Sequence, residues 1–440
     1  MGRKALAVAA LIAVTAVTAT GCTGAAAPKG ESAAAASDPG SVSGTITVLT
    51  HRTDLVQNGT LKNYAAEFNK VYPKVTVKFD ALTDYEGEVK IRMNTANYGD
   101  VLMIPNAIAK KDYPSFFASL GSATELGKKY RFTDKANVGG KVYGLATVGN
   151  ADGFVYNKSV WKKAGITSWP TSPEQFLAGL RAIKAKTDAV PYYTNFKDQW
   201  PVTAGTASIG SVSCDAQAND KLATSTAPWA AGSDLNVIDT LLYDVVHDKL
   251  IEKDPTTTNW ENSKGMIARG EIATMQLGSW AISQMQNAAK TAGTNPDDIG
   301  FMPFPAQTNG KFCSMLSSDY QDAVSIHSKN KPAARAWVDW FTDKSGFAQN
   351  EGSIPTLKSG ALPATLKPFE DNGVNMLERS EAKSSQVNAI DNAAEIGLAK
   401  PDYRQKLVDM ARGVQGGSLK DYFADLDKKW SSQAAKSAGS

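Results

Sequence analysis

Residues 45–55 read TITVLTHRTDL, an apolar, β-branched run that ends in a knot of polar groups: Thr50, His51, Arg52, Thr53 and Asp54. The first six residues predict a strand. Next comes LKNYAAEFNKVYP (61–73), which sets Leu61, Tyr64, Ala65, Phe68 and Val71 at helical spacing and stops at Pro73. VTVKFDAL (75–82) alternates as a second strand, and YEGEVKIRMNTANYGDVLMI (85–104) reads as a helix running into the apolar strand DVLMI. A β-α-β-α-β order predicts a parallel sheet covered by helices. Ligands of such sheets sit outside the carboxyl ends of the strands. The polar knot lies at such an end, which favours a ligand-pocket edge over a catalytic corner or a metal site.

The rest of the chain continues in α/β style. A short strand pair is expected in VGGKVYGLATVGNADGFVYNKSVWKKAGI (138–166), then helices near 172–187, 237–250, 259–272 and 279–291. Short strands fall at IATMQLG and IGFMPFP, and further helices at KPAARAWVDWFTD and beyond. At 440 residues the chain is too long for one ordinary core, so two domains are expected. A formal charge of +3, with no basic patch interleaved with aromatics, excludes nucleic acid as a partner. Only three histidines are present (His51, His247 and His327), and neither G-x-S-x-G nor H-E-x-x-H occurs. With 44 acidic residues, an imagined carboxylate pair carries no signal for glycoside hydrolysis. Neither catalysis, a cofactor nor a bound metal is expected.

The first residues carry an address. MGRK is positive, ALAVAALIAVTAV is apolar, and small residues follow, as in a secretory signal peptide over 1–21. Ala19, Thr20, Gly21 and Cys22 resemble a bacterial lipobox, with cleavage before Cys22 and acylation of its thiol; the other reading is an ordinary secreted protein cut near GAAA. Residues 22–43 then form a lipidated Cys and an Ala/Ser/Gly/Pro-rich tether that buries no apolar surface. If Cys22 carries lipid, Cys214 and Cys313 remain; they pair as a disulfide in an oxidising exterior or stay as two buried thiols.

The order of motifs over about 43–430 resembles extracellular solute-binding protein family 1, the carbohydrate-binding lipoproteins of bacterial ABC-type sugar importers. AEFNKVYPKVTVKF resembles the family's first helix and second strand, and YGDVLMI its acidic residue before a strand. VGGKVYGLATVGNADGFVYNKSVWKKAGI resembles G-K-x-Y-G-x-P followed by Y-N-K and K-x-A-G, with Ala146 where Pro is commonest. MIARGEIATMQLGSWA resembles G-x-x-A-M-x-x-G-x-W, and IGFMPFP the strand after it. The resemblance implies a two-lobed, periplasmic-binding-protein-like α/β fold with hinge strands and a ligand cleft between the lobes. Lobe 1 is expected at 44–148 plus 320–347 and lobe 2 at 152–316 plus 352–430, with crossings near 147–152, 316–322 and 346–353. It also implies a monomer on the extracytoplasmic face of the cell membrane, anchored through acylated Cys22, which captures a mono- or oligosaccharide for the permease subunits of an ABC importer.

A sugar site needs aromatic faces for the C–H side of the ring and planar polar groups that bridge hydroxyls. Trp280, in the family-like LGSWA, and Trp200, in a polar loop before a proline, are the expected platforms, whereas Trp337 and Trp340 read as core. Expected polar contacts are Arg52, Asp54 and, more weakly, His51 after the first strand, with Tyr85 and Glu86 after the second and Asn106 after the third. Asn150 and Asp152 at the first crossing, and Asp319 and Tyr320 at the second, complete the set.

Overall fold

The structure is a computed structural model that describes residues 32–438 apart from 36, 37, 107 and 399. The expected signal peptide and Cys22 lie outside the described residues. The polar knot follows β1 (Ser43–Thr50), which pairs in parallel with β2 (Lys74–Ala81) from Ser43↔Lys74 to Thr50↔Ala81, and with β3 (Val101–Met103) at Val48↔Val101. Gln321–Val324 joins β3 antiparallel and Leu145–Ala146 joins it in turn, so the sheet starts parallel and ends mixed. Helix Thr60–Val71 buries Leu61, Tyr64, Ala65 and Phe68, the face its spacing predicts; Val71, expected with them, is 45% exposed at the helix end. Trp337 and Trp340 of helix Lys331–Asp343 are buried against Phe68, edge to face at 5.2 and 5.6 Å, and belong to the core of this lobe.

The second lobe is built on Gly149–Asn157, which lies between Ile299–Met302 and Lys311–Ser318 and also pairs with Thr274–Gly278. Asn375–Glu378 adds a parallel strand to Lys311–Ser318. Helices that include Pro173–Lys186, Asp234–His247 and Trp280–Thr291 cover it. Its core holds a fully buried ion pair in which Arg404 Nε donates to Asp239 Oδ1 at 2.9 Å, while Trp229 Nε1 donates to Asp239 Oδ2 at 2.8 Å. Cys214 is bonded to Cys313, with Cα atoms 5.4 Å apart, which fastens the loop near residue 214 to the strand Lys311–Ser318.

Three chain segments run side by side between the lobes. Thr147 N–H donates to Tyr320 C=O at 2.9 Å, Asp319 N–H to Val148 C=O at 3.0 Å, and Gly149 and Ile354 exchange two backbone bonds of 2.8 Å. A few such residues are enough to absorb the dihedral changes of hinge closure. Gly352, at φ +66°, lies where a Cβ would strike Ser283 Oγ, so only glycine lets the third segment pass that close to the second lobe.

The segment 22–43 differs from expectation where it is described. Ala33 and Val42 are 1% and 4% exposed. Arg335 Nη1 donates to Ala33 C=O at 2.8 Å, so a buried guanidinium draws the chain onto the first lobe.

Candidate ligand cleft between the lobes

The strand ends of the first lobe face helix Trp280–Thr291 across a cleft of 710 Å³. Its lining includes His51, Arg52 and Asp54 on one side, Lys264, Trp280 and Gln284 on the other, and Asn150, Asp319 and Asp322 at the crossings. A second hollow of 340 Å³ adjoins it, shares Asn150, Trp280 and Asp319 with it, and is walled by Trp200.

Trp280 and Trp200, which line the hollows, pack with Trp260 in a triangle. Ring centroids of Trp200 and Trp260 are 5.0 Å apart, Trp200 and Trp280 5.8 Å, and Trp260 and Trp280 5.7 Å. Trp280 opens its helix after Gly278, where a Cβ would meet the indole at 2.7 Å; glycine makes room for the ring. Ser279 ties that helix start to the first crossing, since its Oγ accepts from Ala151 N–H at 3.0 Å and its N–H donates to Ala151 C=O at 2.8 Å. Trp200 follows Gln199, whose φ of +64° is rare for a non-glycine residue, and keeps 40% of its surface exposed. An indole left that open, beside two others, is available to a ligand.

Across from it, His51 is half-buried, with its ring 5.3 Å from Tyr320 and 6.2 Å from Tyr85. Burial lowers its pKa, opposed mainly by Asp319, so the ring is neutral at pH 7. Its Nδ1 is buried with no hydrogen-bond partner, as is Asn150 Oδ1. Both are free to serve a ligand hydroxyl.

Other expected contacts are already engaged. Arg52 grips Asp54 through Nε (2.9 Å) and Nη2 (2.7 Å) and reaches Glu351 through Nη1 at 2.7 Å. The hydrogen bond from Arg52 holds the Asp54 carboxyl below its usual pKa. The two residues line the cleft as a preassembled ion pair fastened to the third crossing, rather than as two independent clamps. Glu86 Oε1 accepts from Asn106 Nδ2 at 2.9 Å and from Tyr320 OH at 2.8 Å; this trio is outside the lining of both hollows.

Tyr85 departs further from expectation, and Asp152 is engaged through one oxygen. Tyr85 is 4% exposed, and its hydroxyl donates to Met103 C=O and accepts from Met103 N–H, both at 2.8 Å, so it closes the end of β3 from inside the core. Asp152 is also 4% exposed, and its Oδ1 accepts from Ser211 Oγ at 2.9 Å, Ser314 Oγ at 3.0 Å and Met315 N–H at 2.5 Å. Through Oδ1 it ties segments together, while its Oδ2 has no partner and the residue lines the second hollow.

Asp322 and Glu351 were not expected at the cleft, nor was Trp260 expected behind its indoles. Trp260 looks in sequence like an ordinary helix start, capped by Asn259, and only the meeting of three distant indoles reveals it. Asp322 sits on a strand next to the second crossing, and burial, opposed by the Thr147 hydroxyl and reinforced by Asp319, pushes its carboxyl up to about 7.

Residues 53–346 match the family described as bacterial extracellular solute-binding protein. The chain belongs to that family. This solute-binding protein is similar to the multiple sugar-binding protein of Streptococcus mutans serotype c, 24% identical over 297 residues that span 65% of this chain and 68% of that one. It is also similar to two solved proteins of Bifidobacterium animalis subsp. lactis. One, an ABC-transporter binding protein in complex with mannobiose, is 33% identical, with 91% of this chain and 96% of that one covered at a TM-score of 0.81. The other, a manno-oligosaccharide-specific solute-binding protein in complex with mannotriose, is 32% identical, with 90% and 95% covered at 0.80. Its relatives and structural neighbours are therefore sugar-binding receptors of ABC transporters, and the family is extracytoplasmic. Among the described residues, no helix is long and apolar enough to cross a membrane, and no group of three or more His, Cys, Asp or Glu is arranged to hold a metal ion.

Proposed function

We propose that this solute-binding protein captures a neutral manno-oligosaccharide of two or three units in its interlobe cleft and presents it to the permease of an ABC importer. The observation that carries the reading is the pair Trp280 and Trp200, backed by Trp260, in hollows that also hold buried polar atoms without partners. Indole faces cover the C–H side of a pyranose, while His51, Asn150, Asp319 and Asp322 stand where hydroxyls would point. Charge in the cleft is largely paired, Arg52 with Asp54 and Glu351, and Lys264 with Glu261 at 2.7 Å, which suits an uncharged ligand. Two adjoining hollows that share Trp280 suit more than one sugar ring.

Lobes at 44–148 plus 320–347 and 152–316 plus 352–430 would close about the three crossings, and the closed form would be the one the permease selects. The same reading makes the protein a monomer held at the outer face of the membrane by lipid on Cys22. It captures its ligand without cleaving it.

A thermal-shift and calorimetric panel of mannobiose, mannotriose, other di- and trisaccharides, polyamines and short peptides tests the reading. Ligand at a hundredfold excess over Kd adds about 2.7 kcal/mol to apparent stability, and the manno-oligosaccharides are expected to produce it and to be recovered intact. A shift from the cation or peptide arm with none from any saccharide overturns the reading, as does release of monosaccharide.

A further inference from the structure

Trp200 can serve as a platform only if its segment is held at a fixed distance from Trp280. That segment, the 3-10 stretch Trp200–Ser208 and the turn after it, carries one exposed indole and has no strand partner of its own. It is held by side chains. Gln276 Nε2 donates to Ser208 Oγ at 3.3 Å, and Ser211 Oγ donates to Asp152 Oδ1 at 2.9 Å. The Ser208 hydroxyl also contributes to the Asp152 carboxylate.

The same Asp152 oxygen accepts from Ser314 Oγ and Met315 N–H of the strand that forms the second crossing. One residue before it, Ala151 is bonded through its backbone to Ser279, which starts the Trp280 helix. Ala151 and Asp152 thus link the Trp280 helix, the hinge strand and the turn after the Trp200 segment, beside two anchors elsewhere in the lobe: Arg404, which donates to Thr206 Oγ1 at 2.5 Å, and Asp234, which accepts from Gly210 N–H at 3.0 Å.

We propose that Asp152 is a positioning residue that sets Trp200 against Trp280 through Ser211 and the strand Lys311–Ser318. The inference rests on the reading that the cleft takes an oligosaccharide. It also gives the cleft a pH response. Burial raises the Asp152 carboxyl to about 6. The hydrogen-bonding groups around it are neutral: Ser208 and Ser211 from the loop, Ser314 and Met315 from the strand, and on the other flank Gly278 in register with it. The charged residue of the adjoining hollow is Asp319. Above pH 6 the ionised carboxylate accepts these donors with the added strength of a charge. Below it the proton takes Oδ2, which has no partner in the structure, and the bonds to Oδ1 weaken toward neutral ones. The Trp200 segment loosens as pH falls.

The experiment compares the wild type, Asp152→Asn and Ser211→Ala, each also carrying Trp200→Phe so that acrylamide quenching of Trp200 is obtained by difference. Mannotriose affinity is measured on the same proteins at pH 7.5 and 5.0. In the wild type, Trp200 becomes more quenchable and mannotriose binds about tenfold more weakly at pH 5.0, the scale of losing one charge-assisted bond. In Asp152→Asn both quantities change less than twofold between the two pH values. Ser211→Ala, which leaves the strand bonds in place, shows raised Trp200 quenching already at pH 7.5. Asp152→Asn following the wild-type pH profile, or Ser211→Ala with wild-type quenching, overturns the proposal. The quenching arms need no sugar, so a wild type that fails to bind mannotriose or any other saccharide refutes the carbohydrate reading while the positioning role is still decided.

Discussion

Trp280→Ala is the sharpest test of the cleft. The indole lines both hollows and touches both other members of the triangle, at 5.8 and 5.7 Å. A sugar ring laid on one indole face covers about 70 Å² of apolar surface, which at about 25 cal/mol/Å² is about 1.8 kcal/mol. Removing Trp280 also frees Trp200 and Trp260 to rotate, and an aromatic pair is worth about 0.5–1.5 kcal/mol beyond its area. The sum is about 2.5 kcal/mol, or a Kd raised about 70-fold. The fold should lose less than the 3–5 kcal/mol typical of a deeply buried tryptophan, because Trp280 is only half-buried. Isothermal titration with mannotriose at pH 7.5, beside circular dichroism of the apo protein, reads both quantities. Trp200→Ala combined with Trp280→Ala should fall short of additivity, since the rings are in contact. A Trp280→Ala protein that keeps its fold and binds mannotriose within twofold of wild type refutes the aromatic-wall reasoning.

Asp322→Asn should flatten the dependence of stability on pH between 4 and 8. The carboxyl is raised from 3.8 to about 7 in the folded state, so its stabilising effect is full below 3.8 and is lost as pH rises through 7. Linkage bounds that loss at about 4 kcal/mol, and a side chain that keeps some surface open to the cleft falls below the bound; an unchanged slope in denaturant titrations would count against it. Cys214→Ser with Cys313→Ser opens a cross-link spanning 99 residues and should cost about 2–5 kcal/mol, read as a lower unfolding midpoint that added reductant no longer changes. Tyr85→Phe removes the one hydroxyl that serves both Met103 N–H and C=O and should lower stability by about 1–3 kcal/mol with mannotriose affinity held within twofold; a large loss of affinity with intact stability would return Tyr85 to the cleft.

The elements were legible because their signals are local. The spacing of Leu61, Tyr64, Ala65 and Phe68 is a helix face whatever lies elsewhere, and the run from Thr45 to Thr50 is a strand that must end at His51. Strand ends also located the cleft, since β1 and the crossings deliver His51, Asn150 and Asp319 to it. What the local pattern could not carry was which polar groups are already satisfied. Asp152 meets Ser314 162 residues away, and Arg52 meets Glu351 299 residues away, so nothing near either residue in sequence announces the bond. The tryptophan triangle has the same cause, for Trp260 gains its place only when Trp200 and Trp280 arrive from outside its own helix.

That distinction reorders the candidates on physical grounds. A ligand hydroxyl gains little from a group whose hydrogen bonds are already made, because binding would only exchange one partner for another. It gains most from a buried polar atom that has none, since that atom has already lost its water and has nothing in return. By this measure His51, one of the weaker expected contacts of the opening knot, and Asn150, at the first crossing, stand ahead of Arg52 and Asp54, which spend their charges on each other and on Glu351. The ion pair still matters, because it fastens the end of β1 to the third crossing. Opening the lobes would have to move that crossing relative to Ser283, whose Oγ donates to Glu351 C=O at 3.2 Å. Glu351 thus joins both walls of the cleft, through Arg52 to the end of β1 and through Ser283 to the second lobe.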